Sequence, residues 1–229
     1  MRLLAVNSAR AIWLVKTIRL NPRGRNLLPA MIGLAERYKF SKLPQTNNLA
    51  AQPLDLKFES GVFEATDGTP VAVNLSILDD GLIAETRAST DESDRFLADA
   101  LTWASDEFGL PHYSDLGVEQ LYASELTVQL NLSIQVFSEK FLGFAERLRL
   151  GVSNNPGLPM EFTALHFGPD PSQTQKVAPF RIERLVNVPF HKKEYYSGAP
   201  LTTSEHLELL EMMERFASDT PLLTKSETG

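Results

Sequence analysis

The chain has 229 residues, of which 43% are hydrophobic and 22% charged, and such proportions are those of an ordinary globular protein with one large or two small domains. It contains no cysteine, which excludes disulfides, thiolate nucleophiles, iron–sulfur clusters and cysteine-based zinc sites. The formal net charge of −7 argues against a protein that coats nucleic acid with its whole surface.

Targeting and membrane segments are not expected. No apolar run approaches the roughly 20 residues that span a bilayer, and the first apolar run, at residues 11–15, is too short for a secretory signal. The Arg-rich beginning is also compatible with a transit peptide, but Trp13, Ile18 and the turn at residues 21–24 favour folded structure. We therefore expect a cytoplasmic protein without a membrane partner.

Residues 1–43 are predicted to form a basic strand–turn–helix segment that packs on the main domain. Residues 10–20 are rich in β-branched and aromatic side chains, which favours a strand, although their apolar positions also fit one face of a helix. Asn21-Pro22-Arg23-Gly24 is a turn, because proline fixes φ and glycine relaxes it. A helix is expected over residues 27–39, and its buried face comprises Leu28, Met31, Ile32 and Ala35.

The main domain is predicted over residues 44–218, followed by a mobile tail over residues 219–229. It opens with a polar loop at residues 41–53 and then an alternating strand at residues 54–59. Asp-Gly pairs at residues 67–68 and 80–81 are hairpin signals that bracket a strand at residues 71–78 and open another at residues 82–88. The three strands form an antiparallel meander.

A helix follows, with Thr90 as the predicted N-cap and Gly109 as the stop. Its apolar stripe consists of Phe96, Leu97, Ala100, Leu101, Ala104 and Phe108. Residues 122–132 alternate cleanly and predict a strand, and a helix that buries Phe137, Phe141, Leu142, Ala145 and Leu148 is expected after it.

The last third is predicted to contain strands at residues 160–167 and 180–188, and then an irregular stretch at residues 189–201. Thr202 and Glu205 form a capping box that starts the last helix, which is expected to bury Leu207, Leu210, Met213 and Phe216. This order of elements predicts an α+β fold: a mixed, mainly antiparallel sheet of about six to seven strands with about four helices packed on it.

Catalytic signatures are missing from the sequence. It has no G-x-S-x-G elbow, no phosphate-binding P-loop and no G-x-G-x-x-G fingerprint, and its four histidines are not at metal-ligand spacing. His166 is expected to be a packed or rim histidine. We therefore predict no cofactor and no metal, and the sequence assigns no catalytic residue, although a triad assembled by the fold stays open.

Candidate interface or ligand residues come from three places outside the basic segment. Glu85 and Arg87 lie two residues apart on a predicted strand, so their side chains share one face. They form a surface ion pair, or Arg87 binds an anion beside the start of the following helix. The acidic residues at that helix start argue against an anion. Arg181 alternates with apolar residues on its strand. Tyr195 and Tyr196 are adjacent in a predicted loop and serve either as interface aromatics or as buried anchors.

Charge is distributed unevenly along the chain. Residues 1–43 carry nine basic side chains and one acid, Glu36, which gives +8, so residues 44–229 carry −15 of the total of −7. Three hypotheses explain the basic segment, in which Arg19, Arg23 and Arg25 are the candidate contact residues. The segment docks on the acidic remainder of the same chain or of a sister subunit, or it contacts nucleic acid, or it contacts a membrane surface. The first hypothesis needs nothing extra, and the third is the weakest because the helix lacks a full basic face.

The function that these features favour is a non-enzymatic protein-interaction or assembly subunit, oligomeric through a protein partner or self-association. The main alternative is an enzyme or small-ligand-binding protein with a pocket between sheet and helices. A nucleic-acid-contacting accessory protein that uses the basic segment is the other alternative.

Overall fold

The structure, a computed structural model, describes residues 1–44, 54–137, 145, 147–149, 160–170, 172 and 177–219. The strands are β1 Arg2–Leu14, β2 Asp55–Glu64, β3 Pro70–Leu78, β4 Gly81–Thr86, β5 Glu119–Gln129, β6 Ala164–Phe167, β7 Phe180–Arg184 and β8 Glu194–Ala199. The helices are α1 Thr17–Leu20, α2 Leu28–Arg37, α3 Thr90–Phe108 and α4 Thr203–Asp219, and single 3-10 turns lie at Tyr113–Asp115, Ile134–Phe137 and Phe190–Lys192.

The eight strands form one sheet in the order β2-β3-β4-β1-β5-β8-β7-β6. The pairs β1–β4, β2–β3, β3–β4, β6–β7 and β7–β8 are antiparallel. The predicted α+β class and the predicted meander of β2, β3 and β4 are thereby confirmed. The sheet has one strand more than expected because β8 lies in the stretch predicted to be irregular.

The chain divides into two compact units. The larger unit comprises Val6–Glu125 with Pro200–Thr203, and the smaller unit comprises Met1–Ala5, Leu126–Ala199 and Ser204–Gly229. The prediction of a segment over residues 1–43, a main domain over residues 44–218 and a tail concerns a different division and stays a prediction.

The core of the larger unit is built on the alternation that the sequence shows. In β2 the side chains of Leu56, Phe58 and Phe63 are buried, whereas Lys57, Ser60 and Val62 are exposed. Phe96 of α3 is wholly buried, and its ring contacts those of Tyr38 and Phe63 at centroid distances of 4.8 and 5.5 Å. These aromatic contacts pack the helices on the meander.

The outer edge of the meander is irregular. The pairing of β2 with β3 shifts between Phe58 and Gly61, and Ser60 has a positive φ of 56°. Next to this bulge, Lys42 exchanges two backbone hydrogen bonds with Glu59, at 3.3 and 3.0 Å. The bulge and the bridge together cover part of the edge strand.

The first strand was predicted in the wrong place. β1 spans Arg2–Leu14 instead of residues 10–20, and residues 17–20 form a helical turn. The backbone N–H groups of Val15 and Thr17 donate to the carbonyl oxygens of Asp80 and Asp79 at the β3–β4 turn. The chain ends the strand there because its partner β4 has no more residues to pair with.

The helix of the basic segment is confirmed, with corrected burial. α2 starts at Leu28, and Pro29 lies in its first turn, where a missing N–H costs nothing. However, Ile32 is 50% exposed, whereas Leu34 and Ala35 are buried. The buried face is therefore rotated by part of a turn relative to the prediction.

The central helix α3 agrees closely with its prediction. Five of the six predicted stripe residues are buried, and Gly109 ends the helix in the left-handed conformation. The N-cap is Ser89 and not Thr90: the Ser89 hydroxyl accepts a hydrogen bond from the Glu92 N–H at 3.2 Å. Thr90 is the first helical residue and is fully buried.

In the smaller unit, the strands after β5 differ from their predictions. The alternation of β5 is confirmed, since Leu126 and Val128 are buried, but β6 and β7 are shorter than expected. β8 was missed. α4 buries Leu210 but leaves Phe216 61% exposed, against the prediction. The helix predicted after β5 lies mostly outside the described residues, as do most of the 41–53 loop and the tail.

Candidate functional sites

Part of the basic segment pairs with carboxylates of the remainder. Each of these ion pairs joins a cation of residues 1–43 to an acid outside the segment, and all are partly or largely exposed. The pairs are Arg10–Glu85 at 2.7 Å, Arg37–Asp99 at 3.1 Å and Lys42–Glu59 at 2.7 Å. Because exposed pairs contribute little energy, they fix side-chain positions more than they stabilise the fold.

The three arginines singled out near the first turn have different surroundings. Arg19 and Arg23 are exposed, and among the described residues neither guanidinium takes part in a hydrogen bond or an ion pair. Arg25 instead donates from Nη1 to the Phe108 carbonyl oxygen at 2.5 Å, at the end of α3. Arg25 therefore anchors a helix terminus, and the nucleic-acid hypothesis, which rests on Arg23 and Arg25 together, stays a prediction.

Arg87 and Glu85 do not pair with each other. Glu85 lies opposite Arg10 in the β1–β4 register and accepts its hydrogen bond, whereas Arg87 follows the end of β4 and is exposed. The hydroxyls that were considered for an anion are engaged: Ser89 caps α3, and Thr90 accepts from the Thr203 N–H at 2.9 Å.

Arg181 and Tyr196 are the candidates that the fold brings together. They lie on the neighbouring strands β7 and β8; the Arg181 Nη2 donates to the Tyr196 hydroxyl at 2.8 Å, and the guanidinium lies 4.8 Å from the ring centroid. Tyr195 points the other way and is fully buried, and its hydroxyl accepts from the Ile134 N–H at 3.2 Å. Tyr195 is thus a buried anchor, on a strand and not in a loop.

The structure contains a buried serine–histidine pair that the sequence did not predict. His206 of α4 and Ser197 of β8 are fully buried, and the His206 Nε2 lies 2.8 Å from the Ser197 Oγ. Because the Ser197 hydroxyl donates to the Arg181 carbonyl oxygen at 2.9 Å, its oxygen accepts from the imidazole N–H. Burial lowers the pKa of His206 from 6.5 to about 4. With no access for a substrate, the pair holds α4 on the sheet.

A polar cleft in the larger unit is organised around Tyr38. Its hydroxyl donates to Asp99 at 2.5 Å, and Arg37 donates to the same carboxylate at 3.1 Å. Burial, and then the hydrogen bond to Asp99, raises the pKa of the Tyr38 phenol. The lining of the cleft also includes Lys39, Glu64 and Arg95, so it holds three basic and two acidic side chains in all.

An apolar groove runs along α4 in the smaller unit. Its volume is about 540 Å³. Two aromatic side chains on its rim, Phe167 and Phe216, are each 61% exposed, and Met212 is 38% exposed. The groove is lined by Phe137, Leu165, Phe167, Phe180, Leu209, Met212, Met213 and Phe216. Contiguous exposed apolar surface of this kind marks interaction sites.

A second apolar space lies in the larger unit, between the meander and the helices α2 and α3. Its volume is about 210 Å³. The sheet contributes Leu56, Leu75 and Ile77 to its wall, and the helices contribute Met31 and Trp103 among others. It lies between sheet and helices, where the alternative hypothesis of a small-ligand-binding protein expects a pocket, and that hypothesis stays a prediction.

The comparisons assign no family. No protein-family model matches the chain, and no curated protein matches it. The described part of the chain contains no helix that is long and apolar enough to cross a membrane. Among those same residues, His, Asp and Glu nowhere cluster in threes as metal ligands do.

Proposed function

We propose that this protein is a non-enzymatic assembly subunit that self-associates through helix α4. In this proposal two copies place their α4 helices antiparallel, and Phe216 of each copy enters the apolar groove of the other. The observation that carries the proposal is an apolar groove in the smaller unit whose lining includes the largely exposed aromatic side chains of Phe167 and Phe216.

The spacing along α4 supports a self-complementary contact. Leu209, Met212, Met213 and Phe216 recur at intervals of three and four residues, so they share one face of the helix. A two-fold axis between Met212 and Met213 brings Phe216 of one helix opposite Leu209 of the other. The same patch then serves both copies, as an isologous interface requires.

Light scattering over a concentration series tests the proposal. The wild type is expected to show the mass of two copies, and Phe216→Glu or Met212→Glu to show the mass of one, because a buried charge opposes the apolar contact. Ile18→Glu is the matched control: Ile18 is 75% exposed and lies in the larger unit, so this variant keeps the wild-type mass. A monomeric wild type at high concentration contradicts the proposal.

A further inference from the structure

The apolar cavity of the larger unit has no part in the proposed assembly. It lies between β2, β3 and β4 on one side and α2 and α3 on the other, and its volume is about 210 Å³. Protein interiors are close-packed, with few voids larger than a water molecule. A cavity of this size is therefore unusual, and it raises the question of which ligand could occupy it.

Two of the three polar side chains at the cavity have partners within the chain. The Thr17 hydroxyl donates to the Leu78 carbonyl oxygen. The Asn21 side chain donates to the Arg25 carbonyl oxygen at 2.8 Å and accepts from the Arg25 N–H at 2.9 Å. The third polar group of the described lining is the indole N–H of Trp103, and no charged side chain lines the cavity.

One side of the cavity wall is formed by the indole ring of Trp103, which is held in place by its neighbours. The ring of Trp103 packs edge-to-face on Phe108, at a centroid distance of 5.2 Å. Gly33 of α2 lies so close that a Cβ there would come within 3.0 Å of the indole. The indole is thereby held between the two helices, with the cavity beside it, and it offers an aromatic surface to an apolar guest.

We propose that this cavity binds a small, uncharged, apolar molecule with one aromatic ring or a short branched hydrocarbon chain. The size follows from the volume: a dry apolar cavity of about 150 Å³ takes up benzene, and the present one has room for a ring with a short alkyl substituent. The class follows from the lining, because it holds no charged side chain to replace the water that a carboxylate on the guest would lose.

Trp103 makes the site directly observable. The sequence has two tryptophans, and Trp13 does not line the cavity. Bromobenzene is expected to quench the emission of wild-type protein saturably, and ethylbenzene to reverse the quenching by competition. In Trp103→Phe, where Trp13 is the remaining fluorophore, saturable quenching is lost.

Two further measurements locate the site and its preference. Ethylbenzene is expected to raise the Tm of the wild type with increasing concentration, whereas benzoate raises it only at concentrations at least tenfold higher. Ala100→Leu fills the cavity and abolishes both the shift and the quenching; Ala104→Val is the smaller alternative if the first variant does not fold. Both alanines line the cavity.

Three results overturn the inference: no saturable quenching together with no Tm shift in folded wild-type protein, unchanged binding in the filled variant, or equal binding of benzoate. Phe216→Glu separates the two proposals. This variant is expected to bind ethylbenzene as the wild type does. The test of self-association and the test of ligand binding can therefore fail independently of each other.

Discussion

Replacing His206 should remove a defined part of the pH dependence of stability. The imidazole is fully buried at the start of α4, beside Ser197 and edge-to-face on Phe180 at 6.1 Å. Its pKa is lowered from 6.5 to about 4 because burial disfavours the charged form. In the unfolded chain the ring regains its ordinary pKa and takes up a proton at a pH where the folded protein does not.

The sign and size follow from linkage. Because the folded pKa is lowered, the contribution of His206 to stability is fully present above about pH 6.5 and is lost as the pH falls toward 4. The full difference corresponds to about 3 kcal/mol, and about 2 kcal/mol of it has disappeared at pH 5. That pH lies above the range in which most carboxylates titrate.

Urea unfolding at pH 7.5 and pH 5 provides the assay. The free energy of unfolding of the wild type is expected to fall by about 2 kcal/mol more than that of His206→Gln, whose side-chain amide still donates to Ser197 but does not titrate. His191→Gln, at an exposed turn, keeps the wild-type difference. An NMR titration follows the imidazole directly. Equal pH dependence in the wild type and His206→Gln, or a ring that protonates near pH 6.5 in the folded protein, refutes the reasoning.

The other predictions concern stability, measured by urea unfolding at neutral pH. Ser89→Ala removes the N-cap of α3 and is expected to cost about 1 kcal/mol, which Ser89→Asp restores. Thr203→Val leaves the buried Thr90 N–H without the oxygen that accepts it at 3.1 Å, and should cost about 1–3 kcal/mol; Thr203→Ser should cost far less. Glu161→Ala removes the carboxylate 2.5 Å from the guanidinium of Arg184, whose side chain is 6% exposed, and should cost about 3–5 kcal/mol. A loss below 1 kcal/mol in that variant contradicts the view of the pair as a buried ion pair.

The parts of the fold that the sequence predicted correctly are specified by local chemistry. Asp-Gly pairs and strict alternation determine the meander, and the Ser89–Thr90 start with the Gly109 stop determines α3. β8 was missed because its sequence, Glu-Tyr-Tyr-Ser-Gly-Ala, has no alternation of polar and apolar residues to indicate a strand. β8 is a strand because it pairs with β7, and a pairing between distant segments cannot be inferred from the local sequence of either one.

The sites could be predicted only in part. The uneven charge singled out residues 1–43 as a candidate, but which cations pair depends on register, as for Arg10 opposite Glu85. Burial of His206 requires the unpredicted β8, so no sequence signal marked it. Periodicity placed Phe216 on the apolar face of α4, yet periodicity does not say whether such a face is covered. The cavity arises from how two helices sit on a sheet, which no local pattern encodes.

The bulged margin of β2 bears on what happens when the protein is concentrated. A straight outer strand offers a row of free amide and carbonyl groups that recruits further chains and seeds fibrils. Here Ser60 breaks the row, and Lys42 occupies both groups of Glu59. The interruption makes it harder for a strand of another molecule to pair with this edge when the protein is concentrated. Reversible association is therefore less prone to lead to amyloid through this edge.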